Sequence, residues 1–177
     1  MTNYWLKRQY AEVSTEPDGL SKRGYVYSIG EFFTINATTT VYFGMGTNGV
    51  DVEFQFYDIT SDTQPVEARL IEAPATATAG TNTIVPRNLN RHFPDASTVT
   101  LSNYTAVTGG IVVASELVGL GSKAGGFISQ SKIHVLKAET LYIMAFYNTG
   151  NQATKVHLNL GWAENQPNEP GLWETVP

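Results

Sequence analysis

Cysteine is absent from this 177-residue chain, charged side chains make up only 15% of it, and no apolar run is long enough to cross a bilayer. The first absence excludes disulfides, thiolate metal sites and a cysteine nucleophile, so stability has to come from packing. The second leaves a surface of hydroxyls and amides, since soluble proteins average roughly 25% charged residues. The third leaves no candidate for a membrane helix, which needs about 20 apolar residues. The start of the chain, Met1-Thr-Asn-Tyr-Trp-Leu-Lys-Arg, lacks the apolar core of a signal peptide, and the expectation is a soluble protein made in a cytoplasm, with no membrane partner. A net charge of −5 and a pI near 5.1 oppose phosphate binding, which depends on a surplus of Lys and Arg, so nucleic acid is not an expected partner.

What fills the chain instead is Thr, Val, Tyr, Phe and Gly, residues that suit pleated strands and tight turns. At 19.3 kDa there is room for one domain and short arms. Residues 14–24 are turn formers and charges without apolar period, so residues 1–30 are expected to form an arm. Its Tyr4, Trp5 and Tyr10 need cover, either on this protein's own sheet or on a neighbouring subunit. From Glu31 strand signals recur. Residues 38–43 are β-branched and aromatic, and Gly44–Gly49 supplies a hairpin-like connection into 50–58, predicting two antiparallel neighbours. In the second of these, Val50, Val52, Phe54 and Phe56 alternate with mostly polar residues, giving one oily face.

A short strand is expected at 66–73, then a surface loop over the small, polar stretch 73–80. Weaker strands follow near 81–85, 97–101 and 111–118, with the proline-bracketed Pro86–Pro94 as a compact connection. After a glycine-rich segment, 119–126, and a short strand, Ile133–Leu136, come two strong strands. Residues 141–146 are apolar on both faces, which predicts a strand through the middle of the sandwich. Val156, Leu158, Leu160 and Trp162 alternate with His157, Asn159 and Gly161, and Asn148–Gln152 is expected to join the pair as a hairpin. The pattern predicts an all-β fold: a two-sheet antiparallel β-sandwich of jelly-roll type over residues 31–164, with extended arms at 1–30 and 165–177. The tail holds three prolines yet carries Leu172, Trp173 and Val176, which are costly to leave in water, so it is expected either to bind a partner as an arm or to fold back on its own sandwich.

No reactive constellation stands out. The three histidines, His92, His134 and His157, include no His-x-His pair of the kind a jelly-roll metal site uses. Gly119-Leu-Gly-Ser-Lys lacks the spacing and the following helix of a phosphate loop, and no Gly-x-Ser-x-Gly elbow occurs. Asp51 and Glu53 share a strand face, which solvation alone explains. The sequons at Asn36 and Asn103 matter only in a secretory pathway. The expectation is a protein without catalytic residues, metal or cofactor.

Asn88-Leu-Asn-Arg91, the segment Gly119-Leu-Gly-Ser-Lys-Ala-Gly-Gly126, the strand entry Leu136-Lys-Ala-Glu-Thr-Leu-Tyr-Ile, and the closing Leu158-Asn-Leu-Gly-Trp-Ala-Glu164 occur here in that order. In this order they resemble the small jelly-roll structural proteins of tailed bacteriophages, over residues 30–164. The resemblance implies a virion component made in the host cytoplasm and bound to the capsid surface, commonly a decoration or cement protein. Its implied partners are the major capsid protein and copies of itself, with a homotrimer as the expected assembly. The alternative is a tail- or fibre-associated module that binds a receptor or carbohydrate, for which Tyr42, Tyr57, Tyr104 and Tyr142 are candidate platforms.

Overall fold

The computed structural model describes residues 25–90, 92, 96–119, 126–127 and 135–165. Among these residues twelve strands form two antiparallel sheets packed face to face as a β-sandwich. The first sheet is built on β1 (Val26–Ile35), β3 (Asp51–Ser61) and β12 (Thr154–Asn165), edged by the two-residue strands β6 (Arg87–Asn88), β9 (Gly126–Phe127) and β10 (Val135–Leu136). Its order is β10-β3-β12-β1-β6, with β9 also on β3. The second runs β5 (Thr76–Ile84), β7 (Thr100–Thr108), β2 (Thr40–Gly46), β11 (Leu141–Asn148), β4 (Val66–Glu72) and β8 (Ile111–Val118).

Period-two alternation places the core as expected along β12, where Val156, Leu158, Leu160 and Trp162 are buried against the second sheet. Trp162 stacks on Tyr27 at 6.2 Å, while Phe33 of the first sheet meets Phe43 and Phe146 of the second at 4.8 and 5.3 Å. β11 lies between β2 and β4, and its residues from Tyr142 to Phe146 are all buried, as a central strand apolar on both faces should be.

Strand pairs are nested: β1 with β12, β2 with β11, β3 with β10 and β4 with β8. From β1 to β4, and again from β10 to β12, each strand therefore changes sheet, and this corrects two expectations. Gly44–Gly49 does not close a hairpin, because β2 belongs to the second sheet and β3 to the first. The turn crosses the sandwich at Thr47–Gly49, where the buried Thr47 hydroxyl donates to the Lys137 carbonyl at 2.7 Å and accepts from the Thr140 amide at 2.9 Å. Asn148–Gln152 likewise joins strands of different sheets, and the Asn148 amide group reaches the carbonyls of Ile35, Asn36 and Gln152 at 2.7–3.2 Å.

Further corrections concern boundaries and faces. β1 begins at Val26, so residues 26–30, read as the end of an arm, pair with β12 inside the sheet. Phe56 does not share the inner face of Val52 and Phe54: the register with β12 shifts between Gly161 and Trp162, the extra residue on β3 turns Tyr57 inward, and Phe56 lies on the outer face over Gly161. A Cβ at Gly161 would overlap that ring.

Of residues 73–80, read as a surface loop, only 73–75 are irregular, and 76–80 are strand. β4 and β5 form one arm of a long ribbon whose other arm is β8 and β7, with a kink between the halves. Gly109 and Gly110 take positive φ there (+66° and +92°) against Ala75 and Pro74, and a side chain at Gly110 would strike Ile71 and the Glu72 carbonyl. The kink lets the base of the ribbon, β4 and β8, join the sheet at β11 while the tip, β5 and β7, joins it at β2. Beyond the tip, β6 pairs with β1, and the Leu89 amide donates to the Val26 carbonyl at 2.9 Å. The ribbon thus clasps the sandwich from one sheet to the other.

Candidate interaction surfaces

The terminal segments carrying Tyr4, Trp5, Tyr10, Leu172, Trp173 and Val176, most of the 119–126 segment, and His134 lie outside the described residues. Among the described residues the sandwich presents two outer faces, an open cleft and a buried carboxylate.

Glu164 is that carboxylate. It sits two residues beyond Trp162 on β12, and the same alternation turns both side chains inward. Its oxygens accept from the Trp162 indole N–H at 3.1 Å, the Thr98 amide at 3.0 Å and hydroxyl at 2.5 Å, and the Ser97 hydroxyl. These donors hold the returning arm of the ribbon against the end of β12. Asn48 adds a second hold, its side-chain amide donating to the Thr98 carbonyl at 2.9 Å. The Trp-x-Glu motif is therefore a latch in this fold, and its carboxylate is enclosed by donors.

On the outer face of the first sheet, cross-strand register sets Phe32 beside His157, with ring centroids 4.2 Å apart and planes 11° from parallel. Phe32 is 79% exposed. The next row across the strands is Gly30, Asn159 and Asp58, and the Asp58 Oδ1 is buried without a hydrogen-bond partner. His157 lies on the outer face, as its alternation predicts.

The outer face of the second sheet carries the tyrosines. Tyr42 and Tyr104 are register partners, and the Tyr104 ring lies over Gly44. Beside them Arg69 grips Glu67 through two N–H groups at 2.7 and 2.8 Å, and this hydrogen bonding lowers the Glu67 carboxyl from its ordinary range and raises the guanidinium. The other two candidate tyrosines are not platforms. Tyr142 is buried in the core, its hydroxyl donating to Glu72 at 3.2 Å and accepting from the Lys137 amide at 3.0 Å. Burial raises its hydroxyl above the ordinary range. Tyr57 packs inward beside Phe54 at 6.4 Å, and burial, reinforced by the negative charge of Glu116, pushes its hydroxyl up to about 12.

An open cleft of about 400 Å³ lies where Gly46–Gly49 meets Glu139–Leu141. It contains the crossing turn, and its only ionisable lining side chain is Glu139. Asp51 and Glu53 are engaged locally, with Ala138 and Gln55 respectively. Among the described residues no group of three His, Asp or Glu side chains is placed to hold a metal ion. Asn88-Leu-Asn90 forms successive side-chain-to-backbone turns, Asn88 accepting from the Asn90 amide at 2.8 Å and Asn90 from the His92 amide at 3.1 Å.

Two surface features were missed in the sequence. Phe32 falls in the stretch 31–35, where Phe32 and Phe33 are adjacent and only register decides which one faces out. The edge strand β8 exposes Ile111, Val112, Val113 and Leu117, and the run Ile-Val-Val was the available signal. Comparison of the sequence with protein-family models and with curated proteins finds no match.

Proposed function

We propose that this chain is a non-enzymatic virion protein that binds the outer surface of a tailed-phage capsid as a decoration or cement protein. The sandwich is read as a jelly roll, because nested pairing of β1 with β12, β2 with β11, β3 with β10 and β4 with β8 is what folding one long antiparallel ribbon over itself produces. The observation that carries the reading is the pairing of Val26 with Ala163. It brings the chain into the sandwich and out of it at one corner, where Tyr25 and Glu164 also share a backbone hydrogen bond, and the segments holding Tyr4, Trp5 and Tyr10 and those holding Leu172, Trp173 and Val176 connect to the sandwich there. Apolar side chains on two adjacent arms suit a grip on one shared surface, here the major capsid protein.

Binding an assembled shell but not its free subunits stabilises the shell, by about 2.7 kcal/mol per site at a free concentration of 100 dissociation constants. The test is to sediment intact virions and quantify this chain per particle. Several hundred copies are expected; a handful per particle moves the protein to the tail. A chain ending at Asn165 is expected to keep its melting temperature and to be lost from capsids.

A second reading, a receptor- or carbohydrate-binding module, is favoured by the solvent-facing rings of Phe32, Tyr42 and Tyr104 on the two outer faces. Saturable binding on a glycan array that is lost in Phe32→Ala or Tyr104→Ala supports it over decoration.

A further inference from the structure

We propose that Asn48 is a modification site: in the folded chain its side-chain amide is lost by reaction with the backbone nitrogen of Gly49, and the carboxylate that replaces it loosens the entry of β7. Asn48-Gly49 is the only Asn-Gly step in the sequence. Asparagine is chemically labile, and a following glycine has no Cβ to hinder the approach of its backbone nitrogen. Both residues are exposed, so water reaches them. They are the central pair of the turn across the sandwich, both at positive φ (+31° and +85°), closed by the Val50 amide donating to the Thr47 carbonyl at 2.9 Å. Two successive left-handed residues admit few sequences besides Asn-Gly, so the labile pair is what the turn itself demands.

The reaction requires only water as co-reactant. The Gly49 nitrogen attacks the Asn48 Cγ, a C–N bond forms, and the side-chain nitrogen leaves as ammonia with the proton that Gly49 gives up. Water then opens the cyclic imide at either carbonyl. The product is an aspartate or an isoaspartate at position 48, with one water consumed, one ammonia released and a carboxylate where an amide stood.

The consequence follows from where that amide is engaged. It donates to the Thr98 carbonyl at 2.9 Å and to the Thr100 hydroxyl at 3.2 Å. Thr100 pairs with Gly46 at the first rung of β7 on β2, and the Thr98 amide and hydroxyl are already given to the Glu164 carboxylate. A carboxylate at position 48 has no hydrogen to donate. The Thr100 hydroxyl can turn and donate to it, but the Thr98 carbonyl is left facing an acceptor, on a residue whose other polar groups already meet one negative charge. While the two bonds are made they fix the amide on β7, so conversion proceeds through brief release at the surface. Once it has occurred the hold cannot re-form, which makes the change one-way. The inference concerns the folded chain alone and stands whether or not it belongs to a virion.

The test is to incubate the full chain in warm, mildly alkaline buffer, follow peptide masses, and separate the converted chain by its extra negative charge for amide hydrogen exchange. Asn48 is expected to convert at least about tenfold faster than Asn36, Asn82, Asn103 or Asn148, none of which precedes glycine. The converted chain should exchange about tenfold faster than the parent over residues 98–104, the scale of one orphaned carbonyl, with 66–72 unchanged. Asn48→Asp, which the positive φ tolerates, should show that faster exchange before any incubation. Asn48→Gly keeps the turn and cannot convert, so its exchange should stay constant throughout. An Asn48 that survives as long as the other four asparagines, a converted chain whose β7 exchanges as before, an Asn48→Asp chain with parental exchange, or an Asn48→Gly chain that loosens on incubation overturns the proposal.

Discussion

The two halves of the kinked ribbon use the same antiparallel pairing and are held by different physics. In the base, β4 and β8 bury Val66, Leu70 and Val118 against the core and keep their register apart from one shift. In the tip, β5 and β7 bury only Ile84 and Leu101, their register breaks twice, and most of β5 is in solvent. What secures the tip is directional: the ladder of β7 with β2, the Glu164 latch, the Asn48 amide and the short pairing of β6 with β1. A segment poor in apolar side chains joins a sandwich through a few well-placed hydrogen bonds, and it stays only while those bonds are intact.

That contrast breaks most visibly at the latch. Glu164→Ala leaves the Trp162 indole, the Thr98 amide and two hydroxyls without their acceptor, at a cost of about 3 kcal/mol. For a chain of this size the melting temperature should fall by about 6 to 12 °C. Amide hydrogen exchange should accelerate more in residues 100–104 than in 66–72; equal acceleration in both would show that the tip has no separate fastening. The kink is the next test. Gly110→Ala puts a side chain at φ +92° and against Ile71 and the Glu72 carbonyl, and a loss of about 2 kcal/mol is expected in chemical denaturation. If Gly110→Ala is neutral, the ribbon halves are joined more loosely than the backbone geometry implies.

The smallest effect lies in the base and depends on pH. Burial raises the Glu116 carboxyl above its unfolded value, so the folded state prefers the protonated form. The group's contribution is fully present below the unfolded pKa and is lost as pH rises through the folded one. Glu116→Gln should therefore be more stable than the parent at pH 7 and indistinguishable at pH 4, with solvent screening holding the gain within about 0.5 kcal/mol. Arg69 and Glu67 have the opposite sign: the lowered Glu67 carboxyl contributes above its unfolded pKa and loses that contribution as pH falls through the folded value. A parent protein whose stability moved only in the Glu67 direction would mean that the burial of Glu116 carries no cost.

Much of the strand inventory could be read from alternation, because side-chain period is a local property. Leu158, Leu160 and Trp162 announced their face, and Ile143 with Met144 announced a strand covered on both sides. What could not be read was pairing. The glycines of 44–49 and the Asn-Thr-Gly of 148–150 mark reversals of the chain, but a reversal within a sheet and a step across about 10 Å to the facing sheet use the same residues. Thr76–Gly80 looked like a loop because an exposed edge strand buries almost nothing and so has no apolar period. Phe56 was assigned to the core because a bulge at Gln55 inverts the phase without changing the composition. Of the surfaces, Tyr42 and Tyr104 were named as platforms only together with Tyr57 and Tyr142, which face inward, and Phe32 was not named at all, since its exposure depends on which of two neighbouring phenylalanines faces in.

The ten-residue ladder between β1 and β12 has a mechanical consequence. Its strands are antiparallel, and the two ends of the chain that lead away from the sandwich meet it at the same place, where Val26 faces Ala163. Tension applied between those ends loads the hydrogen bonds one rung at a time, from Val26 toward Ile35, as a zip opens. A shear geometry would load all the rungs together. The sandwich is thus weakest against a pull that separates its two chain ends, and strong against a force that drags both ends in the same direction, because then the ladder bears no load at all.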